Sequence, residues 1–258
     1  MSIQNLNPDS LVLVVFDLDG TLTESKQPLD REMAKLLAEL LKNKYVAVTS
    51  GASFFQFEQQ FLGYLTEGEP NLSHLYLLPT SGARLYCFQN GLWKAVYYEE
   101  LSVAEKDKIM KAFPEAMTQA GIPLEKDIYG QIFEDRESQI TFSALGQEAP
   151  LAIKSQWDPN QQKRQKIAGY LQELLPEFLV KIGGSTSIDV TKKGIDKAYG
   201  LEHLIKYLNL SRGKVLYVGD ALYPGGNDEP LLNCGVLCQA VANIAETKEL
   251  IRRLIKNE

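Results

Sequence analysis

A six-residue apolar run, Leu11 to Phe16, leads directly into Asp17-Leu18-Asp19-Gly20-Thr21. The run lacks polar alternation, so it reads as a strand buried on both faces. Such strands sit inside parallel sheets with helices crossing over between them, and no other segment restricts the fold as much. Alternate residues of an extended chain point to one side, which puts Asp17 and Asp19 in reach of one pocket beyond the carboxyl end of the strand. Two carboxylates there repel unless a proton or cation separates them. Mg²⁺, which takes one or two carboxylates plus phosphate oxygens, suits that need. One aspartate can then attack a phosphorus atom while the other moves a proton. A lone Asp-x-Asp is also an ordinary turn or cap feature; the apolar run before it and Gly-Thr after it set this one apart.

Further short apolar strands are expected at Tyr45–Thr49, His74–Leu78, Val215–Val218 and Val236–Ala240. Between the first two, Met33, Leu36, Leu37, Leu40 and Leu41 recur at helical spacing over 30–42. Phe54–Leu65, Lys197–Leu208 and Ile244–Ile255 also read as helices. Strand and helix alternate, which predicts an α/β fold with a Rossmann-like parallel sheet. The middle of the chain breaks that rhythm. A helix over Leu101–Ala120, with Ile109, Met110 and Phe113 facing inward, precedes paired strands at Ile128–Phe133 and Gln139–Ala144. A helix over Asn160–Leu175 and a strand at Phe178–Ile182 follow. The expected organisation is a core of residues 1–88 and 187–258 interrupted by an α+β cap of residues 89–186, placed to act as a lid.

Three more segments fall where phosphoryl transfer needs them. Val46-Ala47-Val48-Thr49-Ser50-Gly51 ends a strand in a small hydroxyl and a glycine, and Ser50, Gly51 and nearby N–H groups can hold phosphate oxygens. The stretch 189–197 carries Lys192, Lys193 and Lys197; Lys197, which opens the next helix, is favoured over Lys193 to neutralise charge between Asp17 and phosphate. Val218-Gly219-Asp220 ends another strand in a carboxylate, and the turn Pro224-Gly225-Gly226 then delivers Asn227 and Asp228. Asp220 is the expected Mg²⁺ ligand alongside Asp17 and the Asp19 backbone carbonyl, with Asp228 or Asn227 as a direct or water-mediated fourth partner.

Phe-Asp-Leu-Asp-Gly-Thr-Leu-Thr closely resembles the first motif of the haloacid dehalogenase superfamily, and the other three segments match its later motifs in order. The resemblance covers nearly the whole chain. It implies that Asp17 becomes an aspartyl phosphate, that Asp19 is the general acid/base, and that Thr21 helps hold the loop. Gly219-Asp220-x₄-Gly225-Gly226-Asn227-Asp228 and the inserted cap most resemble the phosphomannomutase-like branch, which also contains sugar-phosphate phosphatases. In that branch arginines of the cap grip a distal phosphate. Arg136 falls at one such position, Gln147 and Lys154 at two others, and Lys181 replaces a serine. Lysine lacks the planar fork of arginine and Gln147 brings no charge, so the resemblance implies, first, a Mg²⁺-dependent phosphatase of a small phosphorylated metabolite, expected to be a sugar phosphate. A hexose-phosphate mutase is the alternative, and a silent phosphosugar-binding protein a third reading. Mutase relatives also imply a monomer or a cap-mediated homodimer.

Composition excludes other classes. The 258 residues carry a net charge of −6 with no basic block, against non-specific nucleic-acid binding. No apolar stretch is long enough to span a bilayer. Three cysteines, Cys87, Cys234 and Cys238, read as free thiols. With a polar Met1–Ser10, they make the expected location cytoplasmic.

Overall fold

The computed structural model describes residues 10–65 and 68–256. The chain forms two compact units: one comprises the residues up to Tyr98 and from Ile195 onward, the other Glu99–Gly194.

In the larger unit, β1 (Leu13–Asp17) is buried along its whole length. Its alternate side chains feed two cores, Val14 and Phe16 one, Leu13 and Val15 the other. Fully burying a side chain of this size stabilises by about 1.5–3 kcal/mol, which is why a polar alternation is absent. Helix α1 (Arg31–Asn43) follows, capped by Asp30, whose carboxylate accepts from Met33 N at 2.9 Å. Next come β2 (Tyr45–Thr49), α2 (Phe54–Gln60), β3 (Leu75–Leu78) and a single turn, α3 (Pro79–Gly82), in which Thr80 and Ser81 take left-handed φ of 52° and 54°. Two further strands, β4 (Arg84–Gln89) and β5 (Leu92–Tyr98), pair antiparallel.

The second unit runs α4 (Val103–Ala120), β6 (Phe133–Asp135), β7 (Gln139–Ser143), α5 (Leu151–Trp157), α6 (Gln162–Leu174), β8 (Phe178–Ile182) and β9 (Ser187–Lys192). Its sheet order is β6-β7-β9-β8, antiparallel throughout. The row Phe133, Phe142, Ile188 packs with Ile109 and Phe113 of α4 and Ile167 and Leu171 of α6. The neighbouring row Glu134, Thr141, Asp189, Lys181 lies on the opposite face and is polar.

The chain then returns through α7 (Lys197–Tyr207), β10 (Val215–Gly219), β11 (Leu237–Ala240) and α8 (Ile244–Lys256). The larger sheet has the order β11-β10-β1-β2-β3-β4-β5, parallel from β11 to β3. Successive connections run outward in opposite directions from β1 and β10. The carboxyl ends of these strands therefore flank a topological switch point, where open α/β sheets bind ligands. Among the described residues, no helix is long and apolar enough to cross a membrane, and the three cysteines are free.

Several expectations shift. The inserted unit begins at Glu99 rather than 89 and ends at Gly194 rather than 186. A boundary at 88/89 cuts the β4–β5 hairpin, which turns tightly at Asn90-Gly91 and extends the larger sheet; β9 belongs to the smaller sheet because it pairs with both β7 and β8. The strand expected at Ile128–Phe133 is instead Phe133–Asp135, because Arg136 N bonds to Gln139 O and the turn tightens there. Met110 is 37% exposed, since the inward stripe of α4 follows Ile109, Phe113, Ala116 and Ala120. Helix α2 stops at Gln60, short of Leu65.

Gly82 of α3 and Gly200 of α7 meet backbone to backbone: a Cβ on Gly200 would lie 2.6 Å from Gly82 Cα. This contact seats the first turn of α7, and hence Lys197, beside the strand ends. Gly200→Ala is expected to destabilise by roughly 1–3 kcal/mol, the usual cost of overpacking, read as a lowered urea midpoint with an unchanged slope.

Candidate active site

Lys197 is 2% exposed, and its ammonium lies 2.5 Å from Asp17 Oδ1 and 2.6 Å from Asp228 Oδ1. Its helix starts there because Asp196 caps it, accepting from Tyr199 N at 3.0 Å. Asp17 is the last residue of β1. Asp228 is fully buried beyond β10, where its Oδ1 also accepts from Tyr217 OH at 2.6 Å and its Oδ2 from Ala221 N at 3.3 Å. Asp220, immediately after β10, completes a set of three carboxylates: one oxygen each of Asp17, Asp220 and Asp228 lie within 4.8 Å of one another.

One ammonium cannot balance three carboxylates. Burial pushes the Asp17 carboxyl up to about 7, reinforced by Asp228 and Asp220 and opposed by Lys197. Asp220 is raised by burial and by Asp228. Burial works against the charged form of Lys197, but Asp17 and Asp228 outweigh it and raise the ammonium above its usual range. Burial above all, then Asp17 and Asp228, hold the Tyr217 phenol far above its usual value. Oxygen donors crowded this closely and short of positive charge suit a hard divalent cation such as Mg²⁺. The buried hydroxyl of Thr49, directly opposite Asp17 in the sheet, finds no hydrogen-bond partner within the protein, which fits a site that takes water or phosphate oxygens.

Asp19 sits apart from the carboxylate set. Its Oδ1 accepts from Lys26 N at 2.7 Å and from Gln60 Nε2 at 2.9 Å, and the same Gln60 amide reaches Thr23 Oγ1. Both donors fall on the same carboxylate oxygen. Ser50 is buried after β2; its Oγ accepts from Ala52 N at 3.1 Å, and its backbone is strapped to α3 by Ser81 N–H donating to Ser50 O at 2.8 Å. Its O–H can still donate to an anion. Gly51 is half-buried beside it, whereas Asn227 is exposed on the turn. Lys197, not Lys193, is the lysine at the carboxylates. Tyr217 and Gln60 carry no motif; each could be found only by asking what holds Asp228 and Asp19.

In the smaller unit the expected cations stand on or beside three different elements. Arg136 follows β6 and pairs with Glu134 at 2.8 Å. Lys181 is exposed on β8, opposite Asp189, with β7 and β9 intervening, about 14 Å at the usual strand spacing. Lys154 of α5 donates to the Gln147 backbone carbonyl at 2.8 Å, and Gln147 Nε2 is buried without a partner. Asp189, raised by burial, accepts from Thr141 Oγ1 at 2.7 Å.

The family model of haloacid dehalogenase-like hydrolases matches residues 14–251. A phosphomannomutase of Schizosaccharomyces pombe is 26% identical over 249 residues, covering 92% of this chain and 93% of the relative. One from Spinacia oleracea is 27% identical over 224 residues, with 84% of each covered. Among solved structures, the ATP-bound IMP-nucleotidase of Plasmodium falciparum superposes with a TM-score of 0.72 at 19% identity, over 96% of this chain and 60% of that one. A haloacid dehalogenase-like hydrolase from Bacteroides thetaiotaomicron gives 0.62 at 16% identity, over 95% of this chain and 99% of that one. These two share the fold.

The raised Asp17 carboxyl makes stability depend on pH. Its folded value, about 7, exceeds an unfolded value near 3.9, so the unfolded chain gives up this proton first. The folded state loses ground as pH rises through that window. In metal-free buffer, Asp17→Asn is expected to gain in melting temperature relative to wild type between about pH 4 and pH 7, and added Mg²⁺ to narrow the gap. Parallel melting curves would refute it.

Proposed function

Because the chain belongs to the haloacid dehalogenase-like hydrolase family, we propose that this enzyme transfers a phosphoryl group of a hexose phosphate through an aspartyl phosphate on Asp17, as a phosphomannomutase-like mutase. The core motifs by themselves rank hydrolysis first. The observation that carries the mutase reading is the run of relatives named phosphomannomutase, whose similarity extends over more than four-fifths of this chain and so includes the inserted unit.

An Asp17 oxygen bonds to phosphorus as the ester P–O bond breaks, and the departing sugar oxygen takes a proton from Asp19. Ser50 and Lys197 stabilise the equatorial oxygens. In the second half a hydroxyl of the turned sugar attacks phosphorus, its proton passes to Asp19, and Asp17 is released. Mg²⁺, held by Asp17 and Asp220 with Asp228 as a third partner and the Asp19 carbonyl in support, would offset the charge of the transferring group.

A sugar-phosphate phosphatase, in which water replaces the second hydroxyl, is the other reading. It is favoured by one observation: Gln147 is neutral, Arg136 is engaged by Glu134 and Lys154 by a backbone carbonyl, which leaves little to grip the distal phosphate of a bisphosphate.

The test is a panel of hexose phosphates with Mg²⁺, with and without the matching 1,6-bisphosphates, recording free phosphate and positional isomers together. Bisphosphate-stimulated isomerisation is expected; phosphate release without isomerisation would establish the phosphatase instead. Asp17→Asn should lower turnover by at least about a thousandfold with the fold retained by circular dichroism, and normal turnover in that variant would sink the mechanism.

A further inference from the structure

The ammonium of Lys197 has three N–H bonds. Asp17 Oδ1 and Asp228 Oδ1 are two of its acceptors, which leaves one N–H for a phosphoryl oxygen. The direction of that bond follows from where Asp228 sits, and Asp228 is fixed by donors other than Lys197. The nearer of these is the hydroxyl of Tyr217, 2.6 Å from the very oxygen that Lys197 holds; the other is Ala221 N at 3.3 Å.

Tyr217 is fully buried in β10, in the apolar cluster that also holds Leu13, Val15 and Leu201. A phenylalanine ring would serve that packing equally. Burying a hydroxyl is unfavourable unless it is bonded, and here the bond is to a charged acceptor, the stronger kind. The backbone makes room for the arrangement: a Cβ at Gly219 would lie 2.9 Å from Tyr217 Cε1 and would collide with the Asp228 carboxylate. Ring, carboxylate and ammonium thus form a chain, Tyr217–Asp228–Lys197–Asp17, in which each member orients the next.

We propose that Tyr217 is a positioning residue for phosphoryl transfer. Its hydroxyl locks Asp228 in the rotamer that holds Lys197 against Asp17 and presents the remaining N–H in one direction. The inference rests on the phosphoryl-transfer reading above. Without the hydroxyl, Asp228 can swing and Lys197 can follow it, while Asp17, Asp220 and the rest of the substrate pocket stay as they are. The loss belongs to the chemical step rather than to binding.

The experiment uses the full chain with Mg²⁺ and p-nitrophenyl phosphate alongside the hexose phosphates. Tyr217→Phe is expected to lower kcat about tenfold or more at saturating Mg²⁺, while KM stays within about twofold of wild type. A kcat within about twofold of wild type overturns the proposal, as does a fall in kcat matched by an equal rise in KM, the pattern of a loosened site. Site-specific 3-fluorotyrosine at 217 keeps the ring and its packing while making the phenol a stronger donor. It decides the matter if the phenylalanine variant fails to fold: a changed kcat at constant KM supports the positioning role, and an unchanged kcat overturns it. Wild-type protein silent on every ester overturns the phosphoryl-transfer reading and this role with it. Active wild type with an indifferent Tyr217→Phe overturns the role alone.

Discussion

The ammonium of Lys197, shut away from water between Asp17 and Asp228, is the contact on which the catalytic unit turns. It joins the end of β1, the start of α7 and the loop beyond β10, and its bond to Asp17 spans 180 positions of sequence. Buried ions are tolerated only in company; stripping one partner from such a pair typically costs about 3–5 kcal/mol. The three residues are therefore one electrostatic unit. The same contact leaves the site with an excess of acid, since Asp220 adds a third carboxylate to a single cation. The deficit in positive charge is an electrostatic requirement that a divalent cation would answer.

Much of the catalytic unit was legible because its chemistry sits at strand ends. Runs such as Leu11 to Phe16 and Val215 to Val218 announce buried strands by continuous apolarity, and the polar residue that interrupts each run marks where the strand leaves the core. Asp17, Ser50 and Asp220 stand out in this way. Lys197 was found by a different route, as the first residue of a helix with the right partners upstream. Tyr217 and Gln60 were not found, because their roles are contacts with other side chains. A tyrosine inside an apolar strand looks like packing, and a glutamine near the end of a helix looks like surface.

The inserted unit was legible in kind and not in outline. Its apolar stripes predict helices against an antiparallel sheet, but its edges depend on pairing partners that local pattern does not name. The Asn90-Gly91 turn was the available signal that β4 and β5 form one hairpin. Read at full weight, it moves the boundary past Tyr98. No comparable signal marks β9, whose alternation of Ile188 and Val190 with Ser187 and Asp189 suits a half-buried strand of either sheet. The polar row from Glu134 to Lys181 was also out of reach, since register across four strands is set by tertiary packing.

The order of the strands has a bearing on how the molecule comes into being. β1 pairs with β2 on one side, Leu13 opposite Tyr45, and with β10 on the other, Leu13 opposite Val215. During synthesis the strand that ends in Asp17 is therefore an edge strand until the chain is nearly finished, and Asp17 has neither its lysine nor its fellow carboxylates. The inserted unit, continuous in sequence, can fold while the chain around it waits. The carboxylate set closes only after β10 and the loop beyond it are made, so a chain cut short anywhere before β10 lacks Asp220 and Asp228, however well its earlier parts have folded.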